Sequence, residues 1–311
     1  MDLLPHSRTC LICDCAEYVI AERFPDPKCF VPSYAVCRCS NCGFLYTDPQ
    51  PPPDLIGQYY ESDYSSWHLT SRPSKHRDSH WYRWTYFKYL GYEQLRTELN
   101  LFHRLASVVL GSFYAHSAVA PRGDKLGTLL DVGCGSGQFL GLMSHLGWTV
   151  SGLEPSPVAC RLAAERWGIE PINGWIEDVS ARDFDVVSMC GVIEHLHDPL
   201  DSLRKIRALL KPGGRVFITT HDISGPGPRL YGTHWVGWEV PQHLYFFDQN
   251  SICKILEKAG FHSVRIRKYF RTIDLFNTLQ PGRLARYSKF FLSGLFLVLG
   301  LNGGLIVEAE K

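Results

Sequence analysis

The stretch LLDVGCGSGQFL, residues 129–140, places Gly133, Gly135 and Gly137 at alternate positions between an apolar run and a predicted helix. Glycines allow the backbone N–H groups of such a turn to approach a ligand closely, and a helix N-terminus attracts anionic groups. Glu154 ends the next apolar run, where a carboxylate can accept both hydroxyls of a ribose. The pattern indicates a nucleotide-like cofactor, either a dinucleotide or S-adenosylmethionine, and the glycines alone do not choose between them.

Cysteines form a second group of reactive residues. Seven of the 11 cysteines lie within the first 42 residues, and four of these make two C-x-x-C pairs. The pairs are Cys10 with Cys13 and Cys39 with Cys42. Four thiolates from two such turns are typical of a closed tetrahedral zinc site, which has no open position for substrate and is therefore structural. Cys15 and Cys37 lie beside the pairs and could replace a ligand, Gly43 is expected to adopt a positive φ in the turn, and a disulfide cluster or metal-free thiols are the alternatives.

The composition is that of an ordinary soluble globular protein. The chain has 311 residues, of which 45% are hydrophobic and 20% charged, and its formal net charge is +1. This charge gives no field that attracts a polyanion, so small-molecule chemistry is favoured over nucleic-acid binding. The first residues lack the basic and apolar regions of a secretory signal, which predicts a cytoplasmic protein. Four cysteines lie in apolar segments and are predicted to be small buried hydrophobes. They are Cys134, Cys160, Cys190 and Cys253.

The elements that must position these groups alternate from residue 126 onward. Short apolar runs, typical of strands buried on both faces, are separated by helical stretches. The predicted strands are 128–134, 149–154, 184–190 and 215–220, and the predicted helices are 137–146, 157–167 and 199–210. Two later runs, 263–270 and 305–310, predict strands added at one edge. The order predicts an α/β fold with a doubly wound parallel sheet.

The chain divides into three predicted parts: a zinc-ribbon-like module at 1–50, a linker and helical lid at 51–125, and the α/β domain at 126–311. The stretch TDPQPPPD, residues 47–54, cannot continue a helix or central strand and predicts the linker. The lid is most helical at 82–110. The apolar stretch 290–301 is too short to span a membrane and predicts a buried helix. Lining a pocket for a lipid-like acceptor, or weak contact with a membrane surface, are the alternatives for that helix.

Four stretches carry a family resemblance, in the order DVGCGSGQFL, GLEPSP, FDVVSMCGVIEHLHDP and LLKPGGRVFITT. Their order and spacing closely resemble the class I S-adenosylmethionine-dependent methyltransferases. CLICDC followed by CRCSNCGFLYTDPQPP resembles a branch of that superfamily with an N-terminal cysteine-rich zinc module. The resemblance implies a seven-stranded Rossmann-like sheet with a reversed last strand at 305–310, and S-adenosylmethionine and zinc as cofactors.

The same resemblance assigns cofactor contacts along the strand ends. It implies that Asp131 and the loop of Gly133, Gly135 and Gly137 hold the methionine end, and that Glu154 holds the ribose. Ile176 and Glu177 fall where the family contacts adenine, although Trp175 replaces an acidic residue there. Cys190 and Gly191 would lie beside the sulfonium.

Methyl transfer from a sulfonium needs alignment of the acceptor and, for some acceptors, removal of a proton. Histidine is the expected base. The first candidate is His243 in PQHLYFF, the second is His195 and the third is His221. Trp235 and Trp238 are predicted to roof the acceptor pocket. A further set of candidate metal ligands is Glu194, His195, His197 and Asp198. Some quinone O-methyltransferases that resemble the sequence there depend on a metal, but a structural role for Glu194 is favoured and a divalent catalytic metal is not predicted.

The sequence therefore predicts a methyltransferase that carries out O- or C-methylation of a small molecule such as a sugar, a polyketide or a prenylated metabolite. Two alternatives stay open. The first is a catalytically silent cofactor-binding module that docks a partner through its zinc ribbon. The second is methylation of protein or RNA, which the near-neutral charge disfavours for RNA. The acceptor atom and the oligomeric state are not determined by these motifs.

Overall fold

The computed structural model describes residues 9–31, 33–60, 80–96, 119–180, 182–235, 237–269 and 303–311. Its larger sheet has seven strands within this part of the chain, in the order β10-β11-β8-β7-β4-β5-β6. These strands are β4 (Thr128–Val132), β5 (Thr149–Glu154), β6 (Ile172–Asn173), β7 (Phe184–Cys190), β8 (Leu210–His221), β10 (His262–Tyr269) and β11 (Gly304–Glu310). The strands β4 to β8 pair in parallel, and β11 lies antiparallel to both of its neighbours. The predicted doubly wound sheet with seven strands and a reversed last strand is confirmed.

Buried β-strands carry the core of this sheet because their side chains are apolar on both faces. Leu129, Leu130, Val186 and Val187 are fully buried at the centre of the sheet. The predicted strand 128–134 ends earlier than expected, at Val132, because Gly133 adopts a left-handed backbone conformation that terminates it. The predicted strand 215–220 begins earlier, at Leu210.

Six α-helices lie within the described residues, and three of them begin at a side-chain cap. The six are α1 (His80–Leu90), α2 (Gln138–His145), α3 (Pro157–Trp167), α4 (Pro199–Leu209), α5 (Pro226–Tyr231) and α6 (Gln249–Lys258). The Ser156 side chain accepts a bond from the Ala159 N–H at the start of α3, and Asp198 accepts one from the Asp201 N–H at the start of α4. Each cap satisfies an amide that has no partner inside its helix.

The N-terminal cysteine-rich region forms a second sheet that the sequence did not predict in full. This sheet contains the antiparallel strands β1 (Tyr18–Phe24), β2 (Tyr34–Cys39) and β3 (Leu45–Asp48). Its fourth strand, β9 (Tyr245–Phe246), comes from much later in the sequence and pairs with β3. One hydrophobic core joins Phe44 and Tyr46 with Leu244 and Phe247. The predicted division into three parts, at residues 50 and 126, remains a prediction. Because β9 belongs to the predicted α/β domain and pairs with β3, the N-terminal sheet is continuous with that domain.

The predicted lid lies mostly outside the described residues. Helix α1 (His80–Leu90) is its described helical part, and 97–118 falls outside the description. The apolar stretch 290–301 also lies outside the described residues. Within the residues that are described, no helix is long and apolar enough to cross a membrane.

Burial of the four scattered cysteines was predicted correctly only in part. Cys134 is buried, but Cys160, Cys190 and Cys253 are only partly buried. Each of the latter three lies at the end of a strand or on a helix flank, where one side of the residue stays accessible.

Candidate functional site

The glycine loop follows β4 at the carboxyl edge of the sheet. Gly133, Gly135 and Gly137 have φ values of +67°, +53° and +77°, which L side chains rarely adopt. A Cβ atom on Gly133 would lie 2.7 Å from Val192 Cγ2, and one on Gly137 would lie 2.9 Å from the Ala163 Cβ. The loop therefore needs glycine both for its backbone and for its close approach to two neighbouring segments.

We expect Gly133→Ala to lower the free energy of unfolding by about 3 kcal/mol, and Gly168→Ala by about 1 kcal/mol. Both glycines have nearly the same positive φ, but space around Gly168 is open whereas Gly133 contacts Val192. The difference isolates the cost of the contact, and urea unfolding of both variants measures it. Equal losses in the two variants would contradict a role for close packing at Gly133.

Glu154 ends β5 beside this loop and is 3% exposed. Its Oε2 accepts a hydrogen bond from the Gly135 N–H at 2.9 Å, and its Oε1 accepts one from the Ser156 N–H at 2.9 Å. A carboxylate oxygen can accept more than one bond. The carboxylate is thus fixed against the glycine loop and keeps the capacity to accept hydroxyl donors from a ligand.

Asp131 lies on β4 just before the loop and is 1% exposed. Burial raises the pKa of its carboxyl group to about 7, although the Ser188 hydroxyl donates a hydrogen bond to it at 2.7 Å. A carboxyl group that is desolvated in this way gains most from a cationic ligand, because the cation restores its charged form. The ammonium group at the methionine end of the implied cofactor is such a cation.

The turn Ile176–Asp178 contains the two residues assigned to adenine. Glu177 is directed to Lys205, with its Oε1 2.5 Å from Nζ, and both side chains are largely exposed. Trp175 precedes the turn and is 65% exposed. Its backbone N–H donates to Asp178 Oδ2 at 2.7 Å. The assignment of Ile176 and Glu177 to adenine stays a prediction. In this structure the Glu177 carboxylate forms an ion pair with Lys205.

Gly191 follows β7, next to Cys190, and has φ +68°. Its N–H donates to the Thr219 carbonyl at 2.9 Å. A Cβ on Gly191 would meet nothing closer than Glu194 Oε1 at 3.9 Å. The space beside Gly191 is therefore open toward Glu194, in the place where the resemblance puts the sulfonium.

Glu194, His195, His221, Glu239 and His243 form one group, here called the histidine cluster, at the carboxyl ends of β7 and β8. The rings of His195 and His243 are 4.6 Å apart, and those of His221 and His243 are 5.3 Å apart. His221 Nδ1 lies 3.8 Å from Glu194 Oε1. The three predicted histidines are thus brought together, and two carboxylates accompany them.

His195 contacts two neighbours through its Nδ1 nitrogen. Its Nδ1 lies 3.0 Å from the Gln242 carbonyl oxygen, which can only accept and would hold a proton on this nitrogen. The Tyr60 hydroxyl lies 3.0 Å from the same nitrogen. Burial lowers the pKa of His195 and the charge of His243 lowers it further. Both effects favour the neutral ring, and with the proton on Nδ1 it is Nε2 that can accept a proton.

His243 is bound at both ring nitrogens and is 2% exposed. Its Nδ1 donates to the Gly237 carbonyl at 2.8 Å, and its Nε2 lies 3.2 Å from Glu239 Oε2. Burial opposes ionisation, but the Glu239 carboxylate raises the pKa of His243. Burial would raise the pKa of Glu239, but the hydrogen bond and the charge of His243 lower it to about 2. The pair is therefore ionic, and His243 has no unprotonated nitrogen to offer.

The chain belongs to the methyltransferase domain family. The model of that family matches residues 102–266, which is more than half of the 311 residues. This stretch contains the glycine loop, Glu154 and the whole histidine cluster. The cysteine-rich region and Tyr60 precede the stretch that matches the methyltransferase domain.

Curated relatives of the methyltransferase domain include two enzymes named ubiquinone biosynthesis O-methyltransferase. The chain is 44% identical to that of Vibrio parahaemolyticus over 101 residues, covering 30% of this chain and 43% of the relative. It is 34% identical to the enzyme of Cereibacter sphaeroides over 149 residues, which cover 44% of this chain and 60% of the relative. The chain thus spans about half the length of these relatives.

Among solved structures, the chain is similar to the 1,6-didemethyltoxoflavin-N1-methyltransferase of Burkholderia thailandensis. The TM-score is 0.47 at 19% identity, covering 95% of this chain and 98% of the other. A SAM-dependent methyltransferase from Archaeoglobus fulgidus gives a TM-score of 0.45 at 16% identity, covering 67% and 94%.

Glu194 is a buried carboxylate of the histidine cluster. It is 3% exposed, and its Oε2 has no hydrogen-bond partner within the described residues. Burial raises its pKa, but His221, His195 and His243 together bring that pKa well below the ordinary glutamate value. Glu194, His195 and His243 each place one ligand atom within 4.8 Å of the others, a spacing that could hold a metal ion.

The metal-ligand set expected from IEHLHDP differs from the set that the fold assembles. His197 donates from Nε2 to the Pro51 carbonyl at 2.7 Å, and Asp198 caps α4. Both are therefore engaged elsewhere, whereas His243 joins Glu194 and His195 from a distant segment. The expectation that no divalent catalytic metal is used stays a prediction.

The N-terminal region positions this cluster through backbone contacts. Thr47 on β3 donates from Oγ1 to the His243 carbonyl at 2.6 Å, and its N–H donates to the Leu244 carbonyl at 2.9 Å. Tyr60 bonds His195 directly. The sequence offered Tyr59 and Tyr60 as aromatic residues that could cover a ligand, and Tyr60 instead contacts His195. Sequence reasoning missed Thr47, which contacts a distant segment, and Glu239, which lies four residues before His243.

Trp235 and Trp238 pack against aromatic side chains of the N-terminal sheet and of the histidine cluster within the described residues. Trp238 packs between Phe24 and Phe246, with ring centroids 5.7 Å and 5.0 Å away. Trp235 is 2% exposed and its ring lies 5.7 Å from that of His221. The two indoles form a small core against the N-terminal sheet. Their predicted function as a roof of the acceptor pocket stays a prediction, and Trp235 lies at the edge of the histidine cluster.

The four predicted zinc ligands converge in space. Cys10 and Cys42 have their sulfur atoms 3.5 Å apart, as do Cys13 and Cys39, and all four lie within 4.8 Å of one another. Cys15 and Cys37 are not part of this group. Gly43, after the last of the four, has the expected positive φ of +76°. The donor set and its spacing suit a tetrahedral thiolate site.

Proposed function

We propose that the protein is an S-adenosylmethionine-dependent methyltransferase that acts on a hydroxyl group of a small-molecule acceptor. The observation that carries this proposal is the Glu154 carboxylate, buried at the end of β5 and bonded to the Gly135 amide of the glycine loop. A carboxylate there can accept both ribose hydroxyls. The glycines of this loop carry no side chain, which allows their backbone N–H groups to approach a ligand closely.

The cofactor residues divide the ligand between them. Glu154 holds the ribose, the glycine loop contacts the methionine end, and the buried Asp131 carboxyl pairs with the ammonium group of that end. Bound S-adenosylmethionine would supply an electrophilic methyl group on a sulfonium. The open space at Gly191 then lies between the cofactor site and Glu194.

His195 is the proton acceptor in this proposal, in preference to His243. The Gln242 carbonyl holds the proton on Nδ1 and leaves Nε2 as a base, whereas both nitrogens of His243 are engaged. A base positioned at the acceptor hydroxyl contributes about 10²- to 10⁴-fold to the rate of such a reaction. Burial lowers the pKa of His195, and the positive charge of His243 lowers it further, since a second positive charge nearby is unfavourable.

Oxygen is favoured as the acceptor atom by two independent features. The relatives from Vibrio parahaemolyticus and Cereibacter sphaeroides are named O-methyltransferases. A neutral histidine base also suits a hydroxyl acceptor, which must lose its proton as the methyl group transfers. A metabolite with a free hydroxyl group, such as a hydroxylated prenylated compound, is consistent with both features.

The test is transfer of label from methyl-labelled S-adenosylmethionine into a fractionated extract, with wild type compared with Glu154→Ala. Label in a small-molecule fraction with the wild type alone supports the proposal and identifies the acceptor. Label in protein or RNA would contradict a small-molecule acceptor. Cofactor binding without any labelled product would favour a module that binds the cofactor and docks a partner.

We further propose that Cys10, Cys13, Cys39 and Cys42 hold a structural zinc ion. Because these residues belong to the core that contains Phe44 and Leu244, the metal would stabilise the segment that carries His243. Zinc would not take part in methyl transfer, since four thiolates complete its coordination.

We expect Cys39→Ser to lose stoichiometric zinc and to lower the melting temperature by at least about 10 °C, because structural zinc contributes folding free energy directly. Elemental analysis and thermal unfolding measure the two effects. Cys29→Ser is the matched control, since Cys29 is exposed and lies outside the cluster. Wild-type protein that contains no zinc after purification without chelators would refute the assignment.

A further inference from the structure

A cavity of about 400 Å³ lies between the N-terminal sheet and helices α5 and α6, apart from the glycine loop. On one side it is lined by residues of the cysteine-rich region, among them Glu22 and Arg38. On the other side it is lined by Arg229 of α5 and Lys254 of α6. Neither the cofactor residues nor the catalytic residues proposed above require this cavity.

Three cationic side chains from three separate elements meet at the cavity. Arg38, Arg229 and Lys254 are exposed, and none makes an ion pair or a side-chain hydrogen bond within the described residues. Like charges placed around one concave surface repel each other and concentrate anions there. The lining carboxylates are Glu22 and Asp248, and Asp248 already caps α6 by accepting bonds from Ser251. The cavity therefore has an excess of positive charge and cations free to bind a ligand.

Aromatic residues form the apolar part of the cavity. Phe44, Trp238 and Phe246 line it and belong to the packed core behind it. The Trp238 indole N–H donates to the Gly232 carbonyl at 2.9 Å, so this ring is held in place. A concave surface with fixed aromatic groups and a few converging charges is typical of a small-molecule site.

The cavity is separated from the histidine cluster by a single layer of side chains. Ile223 and Phe246 line it and also line the small cavity that contains Glu194, His221 and His243. A ligand bound here would thus contact the wall that supports the histidine cluster from behind. It would occupy neither the space beside Gly191 nor the glycine loop.

We propose that this cavity binds a small organic anion, in which an apolar ring packs on the aromatic residues and an oxyanion group is held by Arg38, Arg229 and Lys254. Ionised phosphate monoesters and ionised carboxylic acids share this chemistry. Arginine binds such groups through paired N–H donors, which adds to simple charge attraction. The site is distinct from the cofactor site and does not depend on the proposed methyl transfer.

Binding is measured by calorimetry with phenyl phosphate and benzoate as probes, with S-adenosylhomocysteine present at saturation. We expect at least one of the two ring anions to bind about tenfold more tightly than inorganic phosphate, which has no ring, and than benzyl alcohol, which has no charge. Tighter binding of phenyl phosphate identifies a phosphate ligand, and tighter binding of benzoate identifies a carboxylate. The Trp238 indole N–H resonance, assigned with Trp238→Phe, should shift on binding.

The double variant Arg229→Ala/Lys254→Ala should weaken binding of the ring anion about tenfold or more, since it removes two of the three charged contacts. Arg204→Ala on α4 is the control, because Arg204 is exposed and does not line the cavity. Thermal unfolding of each variant checks that the fold is intact. Absence of saturable binding by both ring anions, or equal binding by wild type and the double variant, would overturn the proposal. Neither result depends on whether methyl transfer is observed.

Discussion

Replacing Glu154 with alanine is expected to weaken the binding of S-adenosylhomocysteine by about 100-fold or more. Hydrogen bonds to a charged acceptor contribute about 1.5–3 kcal/mol each, and a ribose can donate two of them. Glu154 is placed for this by burial and by its bonds from the Gly135 and Ser156 amides. Isothermal titration calorimetry of wild type and variant measures the loss of affinity.

Two further variants separate binding from structural support. Glu154→Gln keeps the size of the side chain but loses the charge, so its affinity is expected to fall between wild type and Glu154→Ala. Glu165→Ala on α3 is the matched control, because Glu165 is an exposed glutamate on a neighbouring element. Unchanged affinity in Glu154→Ala, with the fold intact by circular dichroism, would rule out Glu154 as the ribose ligand.

Replacing His195 with asparagine is expected to slow methyl transfer by about 10²- to 10⁴-fold while cofactor affinity stays within about twofold of wild type. The asparagine amide can still donate to the Gln242 carbonyl in place of Nδ1, but it has no basic nitrogen in place of Nε2. Single-turnover transfer to the acceptor, measured beside calorimetry of cofactor binding, separates the two effects. His234→Asn is the control, since His234 is exposed and lies outside the histidine cluster.

The pH dependence of transfer gives a second test of His195. A general base acts in its deprotonated form, so the rate falls as pH drops through its pKa. Burial and the charge of His243 lower the pKa of His195, so the rate should persist below the ordinary histidine value of 6.5 before it falls. In Tyr60→Phe, which removes the hydroxyl beside Nδ1, this limb of the profile should move. Normal transfer in His195→Asn together with loss of transfer in His243→Asn would return the base to His243.

Local chemistry explains how much of the fold could be predicted. The glycine loop and the alternation of apolar runs and helices depend on residues that are neighbours in sequence, so their pattern is visible there. The same is true of the two C-x-x-C pairs, whose spacing follows from the geometry of a thiolate site. The reversed direction of β11 was implied by the family resemblance alone. Strand ends were less exact, as at Val132, because a single backbone conformation at Gly133 decides where β4 ends.

The sequence by itself determined the family resemblance, the cofactor loop with Glu154 and the four cysteines, because each is a local arrangement of residue types. Only the tertiary structure decided the rest of the candidate site. It joined β9 to the N-terminal sheet and brought Glu239 and His243 beside Glu194 and His195. The different ring contacts of His195 and His243 are the reason why the proposal places His195 before His243 as the base. No spacing in the sequence showed that the Gln242 carbonyl lies beside Nδ1 of His195, which is 47 residues away.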